Sequence, residues 1–160
     1  SDEVFGYMST KDTYKDFHLI SEFKWGEAKY APRINEKRDS GILYFVPVDI
    51  PEVVWPKSVE FQIQEGDTGD FWLIDSATIE VNGKRTAPAD YLRVEKSSDN
   101  ENPHGEWNSI EIISSGGKLT HVVNGQVVNK GSSPNIKEGR ILIQSEGAEI
   151  YYRKIEIKRL

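Results

Sequence analysis

Polar and apolar positions alternate along most of this chain. From Asp16 to Trp25, the residues Phe17, Leu19, Ser21, Phe23 and Trp25 fall on one side, with His18 and Glu22 on the other. That is the period-two signature of a strand with one buried face. Lys57 to Gln64 repeats it, with Val59, Phe61 and Ile63 set against Glu60, Gln62 and Gln64. Ser40 to Val48 is instead a nearly continuous apolar run, as expected of a strand covered on both faces. Further strands are predicted over Trp72 to Lys84, Glu106 to Ser114, Lys118 to Asn129, Gly139 to Gly147 and Glu149 to Leu160. Asn82-Gly83, Gly116-Gly117 and Asn124-Gly125 supply two-residue hairpin signals. No stretch sustains a 3.6-residue period, although Ile50 to Lys57 has room for a short helical turn.

The pattern predicts a single all-β domain over residues 1–160, built as two packed antiparallel sheets. Numerous, fairly long strands favour a jelly roll over an immunoglobulin-like order. Two long polar loops, Ala28 to Asp39 and Glu95 to Gly105, are candidates for function, because loops of that size in a compact domain either carry it or move.

Composition narrows the classes. With 160 residues, folding can bury roughly 70% of the surface that the unfolded chain exposes, enough for an ordinary core. The net charge is −6 and the basic residues are scattered, so there is no basic stripe for nucleic acid. With no cysteine, there is no disulfide framework and no thiolate zinc site. No window approaches the ~18 consecutive apolar residues of a membrane span. The opening Ser1-Asp2-Glu3 reads as a trimmed or mature chain whose targeting segment is gone. Oligomeric state leaves no mark in the pattern.

Several phrases, in order and spacing, carry a family resemblance: "DSGILYFVP", "VWPKSVEFQIQEGDTGDFW", "NPHGEWNSIEI", "HVVNGQVVN" and "GRILIQSEGAEIYYRKIEI". From about Asp16 to the C-terminus the chain resembles the 3-keto-disaccharide hydrolase domain family, formerly a domain of unknown function. The resemblance implies a concanavalin A-like jelly-roll sandwich, cleavage of 3-keto-glycosides, a carbohydrate partner and a periplasmic or secreted location. It departs from the family at Asp39-Ser40-Gly41, usually Asn-Ser-Gly, at Phe45, where many relatives carry His, and at Lys154, usually Asn. A family N-terminal strand with an "fNGkdL" phrase is not found, so that strand is expected to be truncated.

The chemistry is open to more than one assignment. Ordinary glycosidases need two carboxyl groups, roughly 5–5.5 Å apart for retention or 6.5–9.5 Å for inversion. Glu60 is followed on its face by Gln62 and Gln64, which cannot lose a proton, and Glu65 points the other way by parity. Two-carboxylate chemistry along this strand is therefore disfavoured. A 3-keto substrate asks for less, since its C2 proton is acidic: one base, one acid for the leaving group and a stabiliser for the enolate oxygen. His121 suits the base by its ordinary pKa, with Glu60 as second acid–base. Its parity with Leu119 and Val123 leaves a structural role open.

Gln62 fits a sugar-hydroxyl binder. Asp70 and Trp72 are placed to clamp a sugar from the loop side, with Trp72 equally suited to the core and Trp107 assigned there. Gln144 and Glu146 share a face, and Arg153, from the family's arginine phrase, would position the oxidised sugar or join an ordinary ion pair. No metal site is expected beyond a possible calcium at the "GDTGD" loop, Gly66 to Asp70. The alternative function is a non-catalytic, lectin-like carbohydrate-binding module on the same sandwich.

Overall fold

The alternating runs fold as strands whose inner faces meet. A computed structural model describes residues 5–160, in which the strands are β1 (Phe5–Ser9), β2 (Phe17–Lys29), β3 (Asp39–Val46), β4 (Ser58–Gln64), β5 (Phe71–Ile74), β6 (Glu80–Val81), β7 (Lys84–Arg85), β8 (Tyr91–Val94), β9 (Asn108–Ser115), β10 (Lys118–Val123), β11 (Gln126–Ser132), β12 (Arg140–Glu146) and β13 (Ala148–Arg159). Among the described residues there is no helix. One sheet has the order β1-β12-β3-β4-β5-β8, the other β13-β2-β9-β10-β11-β6-β7, and every pairing is antiparallel. This is the expected jelly-roll sandwich.

The core lies between the sheets. Phe17, Leu19 and Phe23 of β2 pack with Ile42 and Tyr44 of β3, Val59, Phe61 and Ile63 of β4, and Ile110 and Ile112 of β9. All eight residues of β3 are buried, matching their unbroken apolar character. Phe45 has φ of 62°, a left-handed conformation that shifts the strand's parity. Its ring therefore joins Tyr44 and Phe17 in the core, while Leu43 and Val46 both face outward into a second apolar cluster with Ile74 and Leu142. The Phe45 departure from the family lies on the core side.

Several boundaries differ from the sequence pattern. Trp72 to Lys84 is not one strand: Asp75 and Ser76 take positive φ, which ends β5 at Ile74. Ile50 to Lys57 forms bends rather than a helical turn, because Pro51 and Pro56 push the residues before them toward extended conformations. Ile50 packs on the outer cluster, so this segment lies over the outside of the first sheet. An N-terminal strand is present as β1, paired with β12 without the family phrase. Trp107 is half-buried on the outside of the second sheet, stacked under the Arg153 guanidinium at 3.9 Å, rather than in the core.

Candidate active site

The outward side chains of the first sheet meet in register. Leu43 is opposite Glu60, Gly41 opposite Gln62 and Asp39 opposite Gln64; Glu60 is then opposite Trp72, and Trp72 opposite Arg93. Gly41 is the gap in this surface. A Cβ there would sit 1.9 Å from Glu60 Oε1, so the Glu60 side chain lies over the glycine and leans toward β12. Gln144, its amide nitrogen turned toward the acceptors around it, donates to Glu60 Oε1 at 3.1 Å and to Glu146 Oε1 at 2.9 Å. Two carboxyl groups from strands that are not neighbours thus share one amide.

A cleft of about 540 Å³ opens over them, with Glu60 and Gln62 on its floor. At one end Arg33, from the Ala28 to Asp39 loop, donates to Asp39 Oδ2 and Glu146 Oε2, each at 2.8 Å, and to Glu36 Oε2 at 2.9 Å. Gln64 Nε2 donates to Asp39 Oδ2 at 2.6 Å, and Trp55 Nε1 to Glu146 Oε1 at 3.3 Å. Two acceptors remain over: Asp39 Oδ1 and Gln62 Oε1 are buried without a hydrogen-bond partner among the described residues. A buried acceptor without a donor is costly, and both belong to residues that line the cleft.

Electrostatics follow from three carboxyls, Glu60, Glu146 and Asp39, of which Arg33 pairs with the last two. Burial, reinforced by the charges of Glu146 and Asp39, pushes the Glu60 carboxyl well above the ordinary carboxylate range. Burial and the Asp39 charge push Glu146 up to about 7, against the lowering effect of Trp55 and Arg33. Burial also raises Asp39, although Arg33 and Gln64 hold it down. Both Glu60 and Glu146 are thus pushed toward the protonated form, and Glu146 is at the edge of titration at neutral pH.

The expected site residues divide. Glu60, Gln62, Trp72 and Glu146 line the cleft, and Gln144 ties two of them together. His121 does not: it is fully buried between the sheets, between the rings of Phe61 and Phe71. Its Nε2 lies 3.0 Å from the Tyr44 hydroxyl and its Nδ1 3.0 Å from the Gly69 carbonyl. Burial lowers its pKa to about 3, so it is a neutral core residue with no route to a substrate. Asp70 is also fully buried, accepting from Arg93 Nε at 2.6 Å and the Lys96 amide at 2.8 Å, which ties down the loop after β4. Arg153 is on the second sheet, paired with Glu22. His121, Glu60 and Arg153 do not converge.

The Gly66 to Asp70 loop, the place named for a calcium, has protein partners for its carboxylates. Asp67 is taken by Lys37 and Arg93 and Asp70 by Arg93, so the loop's carboxylates are already neutralised. Among the described residues no three His, Cys, Asp or Glu side chains are grouped as ligands. The pattern missed Arg33, Trp55, Asp39 as a site residue, and Tyr91. The signals for them in the sequence are the length of the Ala28 to Asp39 loop and the departure of Asp39 from the family phrase.

Fold and cleft together define a jelly-roll β-sandwich with an acidic, partly aromatic site on the outer face of one sheet. The profile of the 3-keto-alpha-glucoside-1,2-lyase-like domain matches residues 1–158, and the chain belongs to that family. Two crystal structures of candidate glycosyl hydrolases from Parabacteroides distasonis share the fold. One is 22% identical with a TM-score of 0.66, covering 98% of this chain and 84% of the other. The second is 20% identical, also at 0.66, covering 95% and 75%. The carbohydrate-binding module CBM66 of Bacillus subtilis superposes with a TM-score of 0.64 at 9% identity, over 99% of this chain and 84% of that one. No curated protein matches the chain.

Proposed function

We propose that the cleft cleaves 3-keto-glycosides, with Glu146 as the base and Glu60 as the acid. The observation that carries this is the pair itself: Glu60 and Glu146, from strands that are not neighbours, joined through the Gln144 amide beside two unpartnered acceptors, with burial raising both carboxyls. The family description, a lyase acting at C1 and C2 of a 3-keto-α-glucoside, supports the same chemistry. Glu146 takes the C2 proton and the electron pair moves into the C3 ketone. Arg33, which has more N–H donors than its three carboxylate partners use, offers one to the developing enolate oxygen. The C1–O bond then breaks as Glu60 delivers its proton to the departing oxygen, leaving a C1=C2 double bond conjugated to the ketone. Water adds back to C1 with Glu60, now ionised, as its base, and C2 recovers its proton from Glu146.

A second mechanism is favoured by one distance. Sharing a single amide nitrogen keeps the two carboxyl oxygens within about 6 Å, near the separations used for direct hydrolysis of unoxidised glycosides. The test is leaving-group release from a chromogenic 3-keto-glucoside beside the unoxidised glucoside, for wild type, Glu60→Gln and Glu146→Gln. Turnover of the keto compound alone, lost in both variants, supports elimination. Turnover of the unoxidised compound would replace it with direct hydrolysis. Sugar binding with no turnover of either would leave a carbohydrate-binding module.

A further inference from the structure

The cleft is chemically lopsided about Glu60. Toward β12, β3 and the far end of β4 the lining is charged and amide side chains, Arg33, Asp39, Glu146, Gln62 and Gln64, with the Trp55 indole bonded to Glu146 beside them. In the other direction, across β5 and β8, the lining residues are Trp72, Ile74 and Tyr91. Register explains the grouping. Trp72 is the cross-strand partner of Glu60, and Ile74 pairs with Ser58 on one side and Tyr91 on the other, one pleat repeat, ~7 Å, further along the sheet. Arg93, the cross-strand partner of Trp72, is committed to Asp70 and Asp67. Tyr91 is 56% exposed on the short edge strand, an aromatic surface with no neighbour over it.

We infer that this side is the leaving-group subsite and that it takes a planar, apolar aglycone, an aryl group rather than a second sugar. The inference rests on the cleavage reading of the same cleft, because it is the position of the acid Glu60 that divides the oxidised ring from the group that departs. A volume of about 540 Å³ leaves room on both sides of that carboxyl. A second sugar would carry several hydroxyls to a wall whose side chains bring only an indole N–H and a phenol O–H, and would lose hydration without recovering it. An aryl ring loses little hydration there and gains contact with Trp72, Ile74 and Tyr91.

The test is binding, which does not depend on leaving-group quality. Dissociation constants are measured by calorimetry on Glu60→Gln for methyl, phenyl and glucosyl 3-keto-α-glucosides, and for the unoxidised methyl and phenyl α-glucosides. The same set is measured after adding Tyr91→Ala, an exposed site whose truncation leaves the core intact. The phenyl compounds should bind tighter than the methyl and glucosyl ones by on the order of tenfold. Tyr91→Ala should remove most of that preference and leave methyl binding unchanged. Glucosyl binding as tight as phenyl, or a Tyr91→Ala loss equal for all ligands, would overturn the inference. Phenyl preference with the unoxidised pair as well, in a wild type that cleaves nothing, would sink the cleavage reading and support the apolar subsite on its own.

Discussion

Glu60 lies across Gly41, in space that only a glycine leaves free: a Cβ at position 41 would be 1.9 Å from Glu60 Oε1. The contact is with the ends of two flexible side chains, so Gly41→Ala should cost about 1–3 kcal/mol in a urea titration, mostly through the buried hydrogen bond it breaks. Its effect on function is larger. Pushed off the glycine, Glu60 loses its bond to Gln144 and its place in the cleft, and kcat/KM for a 3-keto-glucoside should fall by about 10²-fold or more. Full activity in Gly41→Ala would mean that the observed position of Glu60 is not the working one.

Stability should depend on pH in two opposed ways. Glu60 and Glu146 hold protons in the folded state that they release when unfolded. For Glu146 that window runs from the ordinary 4.5 to about 7, and across it the folded state binds more protons, so stability falls as pH rises. Glu60 extends the same trend further upward. Glu60→Gln removes its share. Its Tm should exceed that of the wild type by about a few degrees at pH 8, with a smaller gap at pH 5. An equal gap at both pH values would show that Glu60 is not held protonated.

His121 works in the other direction. Its folded pKa of about 3 lies below the ordinary 6.5, so between those values the unfolded state takes a proton that the folded state refuses, and stability falls as pH drops. His121→Ala empties a site packed by Phe61, Phe71 and Tyr44, at a cost of about 2–5 kcal/mol. The folded fraction should keep kcat and KM within about twofold of the wild type, since a residue outside the cleft contributes no transition-state interaction. A kcat loss in fully folded His121→Ala would return the imidazole to the mechanism.

The two arginines separate cleanly. Arg33→Met leaves Asp39 and Glu146 facing each other without their shared cation. Both carboxyls then rise further, and the acidic limb of kcat/KM against pH should move upward, with the plateau lower by about 10²-fold. Arg153→Ala removes only an exposed pair with Glu22 and a stack on Trp107. It should change stability by about 1 kcal/mol at most and leave the rate untouched. A pH profile unmoved by Arg33→Met would contradict the role given to the guanidinium.

Much of the sandwich was legible because alternation is a local property. Phe17 to Trp25 and Val59 to Ile63 announce their buried faces in consecutive residues, and β3 announces burial on both sides. β1 and β8 were not legible: they are short, and their exposed positions blur the period. The site was half-legible for the same reason. Glu60, Gln62 and Trp72 come from one contiguous stretch, but the partner of Glu60 was sought two residues along the same strand. It comes from β12, more than eighty positions later, across a glycine whose meaning appears only once β3 lies between the two strands. For His121 the parity shared with Leu119 and Val123 already pointed to the core, where the imidazole lies; the base role came from its ordinary pKa and the resemblance. Arg153, in the middle of β13, belongs to the other sheet, which a motif phrase by itself does not reveal.

The central claim is that the Glu60–Glu146 pair removes a C2 proton from a 3-keto-glucoside. The most direct measurement is the rate of leaving-group release from this substrate, protiated and deuterated at C2, by wild type and Glu146→Gln. A primary isotope effect in the wild type is predicted, with a loss of about 10²–10⁴-fold in Glu146→Gln. Cleavage without an isotope effect and undiminished in Glu146→Gln would contradict it.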